Sequence, residues 1–179
     1  MNNVHVVDIN GYKAELPIIK LSDTVSIAFF NLHGDPFLTE HCGKELAKFA
    51  DGVDVIITAE SKGLQLAHVC ARELNMPYYA VARKSQKLYM QDGIKISYGS
   101  SITTGKCQEF YLSKHDTDLL RGKNVGIVDD VISTGESLKG LEALVEKAGG
   151  KVVKKLFVLA EGAAADRKDV CYLAKIPLF

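Results

Sequence analysis

The chain carries no net charge: 22 Lys and Arg are matched by 22 Asp and Glu in 179 residues. That balance argues against a protein that works by coating nucleic acid, because such affinity comes from many cations on phosphates. No apolar run approaches the roughly 18 residues that a membrane span requires. The start, MNNVHVVDINGYKAELP, lacks the basic segment and long apolar stretch of a secretory signal. No C-x-x-C pair occurs among Cys42, Cys70, Cys107 and Cys171, and no histidine cluster stands near them. The usual zinc patterns are therefore missing. Scattered cysteines in a chain without a signal are expected to be buried thiols, and the protein is expected to be cytoplasmic. The sequence has no H-E-x-x-H and no G-x-S-x-G. Gly99 to Lys106 nearly imitates a P-loop, but five residues separate the glycines and Cys107 replaces the Ser or Thr. Internal repeats, low-complexity tracts and interdomain linkers are also lacking.

What is present is ordinary for one globular domain: 47% apolar and 25% charged residues. A disordered chain would be poorer in apolar residues. A domain of this size buries roughly 70% of its unfolded surface, so it can build a core without staples.

Continuous apolar runs at 53–59, 78–82, 125–128 and 152–160 suit strands covered on both faces. Between them, three- and four-residue apolar steps predict helices over 39–50, 62–75 and 136–148, the last stopping at Gly149-Gly150. The alternation predicts an α/β fold, a mostly parallel sheet flanked by helices. Residues 83–122 resist assignment. A loop that long is often functional, and part of it fits a hairpin around Gly93 to Gly99.

The most informative segment is Val125-Gly126-Ile127-Val128-Asp129-Asp130-Val131-Ile132-Ser133-Thr134-Gly135-Glu136-Ser137. A buried strand delivers two adjacent carboxylates to its C-terminal end, the ligand-binding end in open α/β sheets. A short loop then opens a helix whose first N–H groups are free to cradle a phosphate. Gly135 permits close backbone approach, and Ser133, Thr134 and Ser137 add hydroxyls. The acids would repel a phosphate, so they suit sugar hydroxyls or a bound cation. The combination reads as a ribose-phosphate clamp. The plainer alternative is a capping box, Ser133 with Glu136. Glu60-Ser61-Lys62-Gly63 forms a second turn between strand and helix, and Arg83, Lys84 and Lys87 place three cations after strand 78–82. Alone, the first is a common helix start and the second a common solvated patch.

Residues 125–137 resemble the 5-phosphoribosyl-1-pyrophosphate (PRPP) motif of the type I phosphoribosyltransferases. Gly126 departs from it, at a strand position that is usually larger and aliphatic. The resemblance implies that Asp129 and Asp130 contact the ribose 2- and 3-hydroxyls, as catalytic residues. It implies that Ser133, Thr134, Gly135, Glu136 and Ser137 hold the 5-phosphate. Glu60, Ser61, Lys62 and Gly63 resemble the pyrophosphate loop of the purine enzymes. Arg83, Lys84 and Lys87 resemble the start of the flexible catalytic loop, about 83–110, whose basic residues bind pyrophosphate, which implies Arg83 and Lys84 as further catalytic residues and Lys87 as a pyrophosphate ligand.

Ser101 to Thr104 and Gln108 look like the xanthine-type subgroup. Residues 27–36 resemble the N-terminal hood of the adenine- and xanthine-type enzymes, with the hood formed mainly by 1–37 and 161–179 of a single domain. Phe30 would stack on a purine, Asn31 would bond its edge, and Ile132 would add a base contact. Alternatively Phe29 or Phe30 is core and Asn31 ends a strand. Xanthine-type enzymes carry a Lys after the Glu that ends the last strand, and here Gly162 follows Glu161. The Glu-Tyr-Gly signature of the adenine type is missing too, with Tyr98-Gly99 and Glu109 nearest to it.

The resemblance thus implies transfer of a 5-phosphoribosyl group from PRPP to a purine, adenine favoured, with Mg²⁺ carried by PRPP and a homodimeric assembly. The alternatives are xanthine or another purine as substrate, or a PRPP-sensing regulator without catalysis.

Overall fold

The computed structural model describes residues 3–23, 25–99 and 107–179. Five strands form the central sheet: β4 (Val55–Ala59), β5 (Ala80–Ala82), β8 (Asn124–Ile132), β9 (Lys151–Glu161) and β10 (Cys171–Ile176). Their order is β10-β9-β8-β4-β5, and every neighbouring pair is parallel. Each buried strand feeds two cores, which is why its apolar residues run consecutively. Ile57 and Ile127 face the side covered by α4 (Glu136–Lys147). Ile56 and Val128 face the side covered by α1 (Pro36–Ala47) and α2 (Leu64–Glu73). The strands and helices predicted from the sequence are all present, but β8 runs on past the predicted 125–128 to Ile132, and β10 was not predicted. Among the described residues, no helix is long and apolar enough to cross a membrane.

Helix α1 starts earlier than predicted. Asp35 Oδ1 accepts from Leu38 N at 2.9 Å, and Pro36 occupies the first turn, where its missing N–H costs nothing.

The N-terminal segment adds an antiparallel sheet of β1 (Val4–Ile9), β2 (Tyr12–Lys20) and β3 (Ser26–Ala28). Asn10 (φ 49°) and Gly11 (φ 94°) make the two-residue turn between β1 and β2, the Asn-Gly pairing that such tight hairpins favour. The sheet buries Val7, Ile9, Ala14 and Leu16 against α1 and the central sheet. The other terminus does not form a hood as a whole. β10 extends the central sheet, and only the last residues cross over, where Ser26 N donates to Phe179 O at 2.7 Å.

The unassigned stretch resolves into β6 (Ile94–Tyr98), β7 (Gln108–Leu112) and α3 (Lys114–Leu120). β6 and β7 pair antiparallel. The expected hairpin is therefore displaced: Ile94–Tyr98 is one arm and Gln108–Leu112 the other. Ser101 to Thr104 lie outside the described residues. The hairpin docks on α4 through Tyr98, whose ring stacks on Phe110 at 4.3 Å between centroids. Gly140 leaves room for this contact, since a Cβ there would stand 2.7 Å from Tyr98 Cγ. Ser113 caps α3, accepting from Asp116 N at 3.1 Å.

The four cysteines are unpaired. Cys42 and Cys70 are buried as expected, and burial pushes both thiols up to about 12. Cys107 departs from that expectation by being exposed.

Candidate active site

Three neighbouring strands, β8, β4 and β5, end at one edge of the sheet, and each turns there into a loop bearing predicted site residues. β8 runs on through Ile132, so the acid pair sits within the strand. Successive residues of a strand point to opposite faces, and the two acids consequently have different surroundings. Asp130 is 7% exposed, and its Oδ2 has no hydrogen-bond partner. Asp129 Oδ1 accepts from Asp130 N at 2.9 Å. Burial, together with the charge of Asp130, pushes the Asp129 carboxyl up to about 7.

The loop after β4 lies against this pair. The Glu60–Ser61 peptide is cis, and Glu60 N donates to Ala82 O at 2.9 Å, tying the loop to the end of β5. Lys62 Nζ stands 3.6 Å from Asp130 Oδ2 and 3.4 Å from Phe30 O, and it lies 5.1 Å from the centroid of the Phe29 ring. Gly63 is required by space. A Cβ there would stand 2.1 Å from Thr58 Oγ1 and 3.0 Å from Asp129 Oδ1, so any side chain would push the loop off the acids.

Glu60 holds the Arg83 side chain and the Lys84 backbone after β5. Arg83 Nη1 donates to Glu60 Oε1 at 2.8 Å, and Lys84 N donates to Oε2 at 3.3 Å. Burial opposes the charge on Glu60, but the Lys84 N–H and the Arg83 guanidinium outweigh it and hold the carboxyl below its ordinary range. Glu60 thus positions the Arg83 guanidinium, where it had been expected to line an anion site. Arg83 also exchanges both backbone bonds with Tyr111 at 2.9 Å, which joins the hairpin to the site. Lys87 Nζ donates to Ser85 Oγ at 2.9 Å, on the exposed chain beyond.

The loop after β8 is not a capping box. The N-cap of α4 is Gly135, at φ 80°, with no side-chain cap bond. The positive φ suits glycine, because a Cβ is strained there. Thr134 Oγ1 accepts from Glu136 N at 3.4 Å, and Ser133 and Ser137 are exposed. With Asp129, residues 133–137 line a cavity of about 140 Å³ over the start of α4. Hydroxyls and the free N–H groups of a helix start converge on it, a combination that suits an anion. The departure at Gly126 has a local cause. The β8–β9 register shifts between Val125 and Gly126, and a Cβ at 126 would stand 3.0 Å from Val53 Cγ1.

Two expected base contacts need correction. Phe30 is 2% exposed and lies in the core beneath the N-terminal sheet, so it has no free face for stacking. Its neighbour Phe29 points the other way and meets Lys62. Ile132 is likewise 2% exposed and buried beside Leu138 and Leu141, whereas Val131, on the opposite face of β8, keeps some exposure. Asn31 is partly exposed and spends its Oδ1 on His33 N at 3.1 Å. Its Nδ2 has no partner among the described residues.

Arg167 was missed in the sequence. Its Nη1 lies 2.8 Å from where a Cβ on Gly135 would stand, and no spacing motif announces it.

Residues 39–175 match the phosphoribosyl transferase domain family. A xanthine phosphoribosyltransferase of Exiguobacterium sp. is 35% identical, over 78% of this chain and 75% of its own length. One from Bacillus thuringiensis is also 35% identical, over 73% of this chain and 68% of its own. Among solved structures, the adenine phosphoribosyltransferase of Thermoanaerobacter pseudethanolicus superposes with a TM-score of 0.66 at 25% identity, covering 79% of this chain and 83% of that one. The Rhodothermus marinus adenine phosphoribosyltransferase shares the fold at a TM-score of 0.67 and 22% identity, over 97% of this chain and 94% of that one.

Proposed function

The chain belongs to the phosphoribosyl transferase domain family, and from that premise we propose that it moves the 5-phosphoribosyl group of PRPP onto a purine, with adenine as the base. The C1–O bond of PRPP breaks, a bond forms from C1 to a purine nitrogen, that nitrogen loses its proton, and pyrophosphate leaves. The observation that carries the reading is the approach of Lys62 to Asp130 at 3.6 Å. It puts the cation suited to the diphosphate beside the acids suited to the ribose.

Positive charge develops on the ribose ring and negative charge on the leaving group as the C1–O bond breaks. Preorganised charges of opposite sign are what such a transition state requires. Asp129 and Asp130 would accept from the 2- and 3-hydroxyls and face the cationic ring. The buried Oδ2 of Asp130, ion-paired with Lys62 but without a hydrogen bond, fits an acceptor for a hydroxyl. Lys62 and Arg83, with Lys84 beside them, would hold the diphosphate. Residues 133–137 would hold the 5-phosphate.

Among the described residues no cluster of three acids, His or Cys could cage a metal, so Mg²⁺ would arrive with PRPP and sit chiefly on diphosphate oxygens, as this ion prefers phosphates and water. It would neutralise charge on the leaving group. A homodimer and a cytoplasmic location belong to the same proposal, the first resting on the resemblance and the second on the unpaired cysteines.

Two observations bear on the base. Gly162 follows Glu161 at φ 55°, and a Cβ there would stand 2.9 Å from Leu178 Cδ1. Leu178 thus fills the space where a xanthine-type Lys would begin. Xanthine carries carbonyl oxygens that such a cation could donate to, and adenine carries none. Phe29 offers the partly exposed ring for stacking. The second reading, xanthine, is favoured by the names of the 35% identical relatives.

The test is release of pyrophosphate from Mg-PRPP with each purine in turn. Adenine-dependent release supports the proposal. Release only with xanthine supports the second reading. PRPP binding without turnover of any base would replace both with a regulator.

A further inference from the structure

We propose that Arg167 is a further ligand of the 5-phosphate, aimed at it by Asp169; this rests on reading residues 133–137 as the 5-phosphate loop. Arg167 follows the short 3-10 helix Gly162–Asp166, which leaves the C-terminal end of β9. That is the ligand-facing end of the sheet. The guanidinium grips one carboxylate with two nitrogens: Nε donates to Asp169 Oδ1 at 3.0 Å and Nη2 donates to Oδ2 at 2.7 Å. Its third nitrogen, Nη1, has no hydrogen-bond partner among the described residues. This is the nitrogen that lies 2.8 Å from the Cβ position of Gly135. A cationic donor with unused N–H bonds therefore rests against the turn that starts α4.

The arm carrying this donor is anchored from behind. Lys155 Nζ on β9 donates to Asp169 Oδ2 at 2.8 Å and pairs with Glu142 Oε1 on α4 at 2.5 Å. The Lys155 side chain is only 19% exposed. Glu142, Lys155, Asp169 and Arg167 thus form a chain of alternating charge that links α4, β9 and the segment after it. Arg167 and Lys155 hold the Asp169 carboxyl well below the usual range, so the anchor stays ionised at any working pH. The four charges sum to zero, and the one Arg167 nitrogen outside the carboxylate grip, Nη1, lies beside the phosphate loop. Arginine suits this place because its rigid fork can grip a carboxylate and still present another edge to a phosphate. Fixing the side chain beforehand also lowers the ordering cost of binding.

The test uses the full chain and four ligands: ribose 5-phosphate, inorganic pyrophosphate, Mg-PRPP and the base. Arg167→Ala should weaken ribose 5-phosphate binding by about tenfold or more, the usual scale for one hydrogen bond to a charged group. Arg167→Lys should recover part of the loss. Arg167→Met, which keeps the apolar stem, should match Arg167→Ala. The slope of log Kd against log salt should fall for both uncharged variants. Pyrophosphate affinity, set by Lys62 and Arg83, should hold. KM for PRPP should rise with the Kd for ribose 5-phosphate, while KM for the base stays. Equal ribose 5-phosphate affinity and salt slope in wild type and Arg167→Met would overturn the proposal and leave the phosphoribosyltransferase reading standing. A wild-type protein that neither binds ribose 5-phosphate nor releases pyrophosphate would bring down both.

Discussion

Lys62 Nζ lies 3.6 Å from Oδ2 of Asp130, a buried carboxylate oxygen with no hydrogen-bond partner of its own. Lys62 comes from the loop after β4 and Asp130 from within the adjacent strand β8. Their approach makes one divided site from two turns that, taken alone, are unremarkable helix starts. It also sets a hydroxyl acceptor and a phosphate donor side by side, which a sugar diphosphate requires.

Lys62→Met should separate catalysis from stability. Removing one preorganised charge from a developing anion costs about 100-fold in turnover. Because the Lys62 side chain is 41% exposed, its ion pair contributes no more than about 1 kcal/mol to folding. Steady-state kinetics with PRPP and denaturant unfolding of the same variant check the two halves. Unchanged turnover would remove Lys62 from the diphosphate site.

The pH dependence of stability should report Asp129. Its carboxyl is raised to about 7, against about 3.9 in the unfolded chain. Between those values the folded state holds a proton that the unfolded state has lost, so stability falls as pH rises through the window and the penalty is complete above it. Asp129→Asn should therefore stabilise the ligand-free protein more at pH 8 than at pH 5, by roughly 1–3 kcal/mol. Denaturant unfolding at the two pH values measures this. Equal gains would show that Asp129 titrates as an ordinary carboxyl.

Gly140→Ala tests how the hairpin is seated. Alanine is the better helix former by up to about 1 kcal/mol. Its Cβ would nevertheless stand 2.7 Å from Tyr98 Cγ and 3.0 Å from Phe110 Cε2. Overpacking of that kind costs typically 1–3 kcal/mol, or about the whole helix gain and more. The expected result is net destabilisation in thermal unfolding, with faster proteolysis of the β6–β7 hairpin. A stabilised variant would mean that the ring contact is not tight.

Much of this was legible in the sequence, for local reasons. Ile56 and Ile57 serve opposite cores, so β4 reads as a continuous apolar run, and the same holds for Ile127 and Val128 in β8. Residues 129–137 are contiguous, so the acid pair and the loop could be read together. What escaped depended on pairing at a distance or on which face a side chain takes. Phe29 and Phe30 are chemically alike, and the packing of the N-terminal sheet decides that Phe30 goes inward. Glu60 looked like part of an anion loop because nothing in sequence tells that Arg83 folds back to it. Arg167 is brought beside Gly135 only by the order of β8 and β9. Two misses did carry local signals: Asn10-Gly11 marks a hairpin, and Ser113 with Asp116 marks the start of α3.

The most direct measurement is adenine-dependent release of pyrophosphate from Mg-PRPP, made on the wild-type protein and on the Asp129→Asn, Asp130→Asn double variant, with circular dichroism to establish that both are folded. The account predicts release by the wild type and at least about a 100-fold loss in a folded double variant. Undiminished release by that variant would contradict the assignment of the acid pair to the ribose.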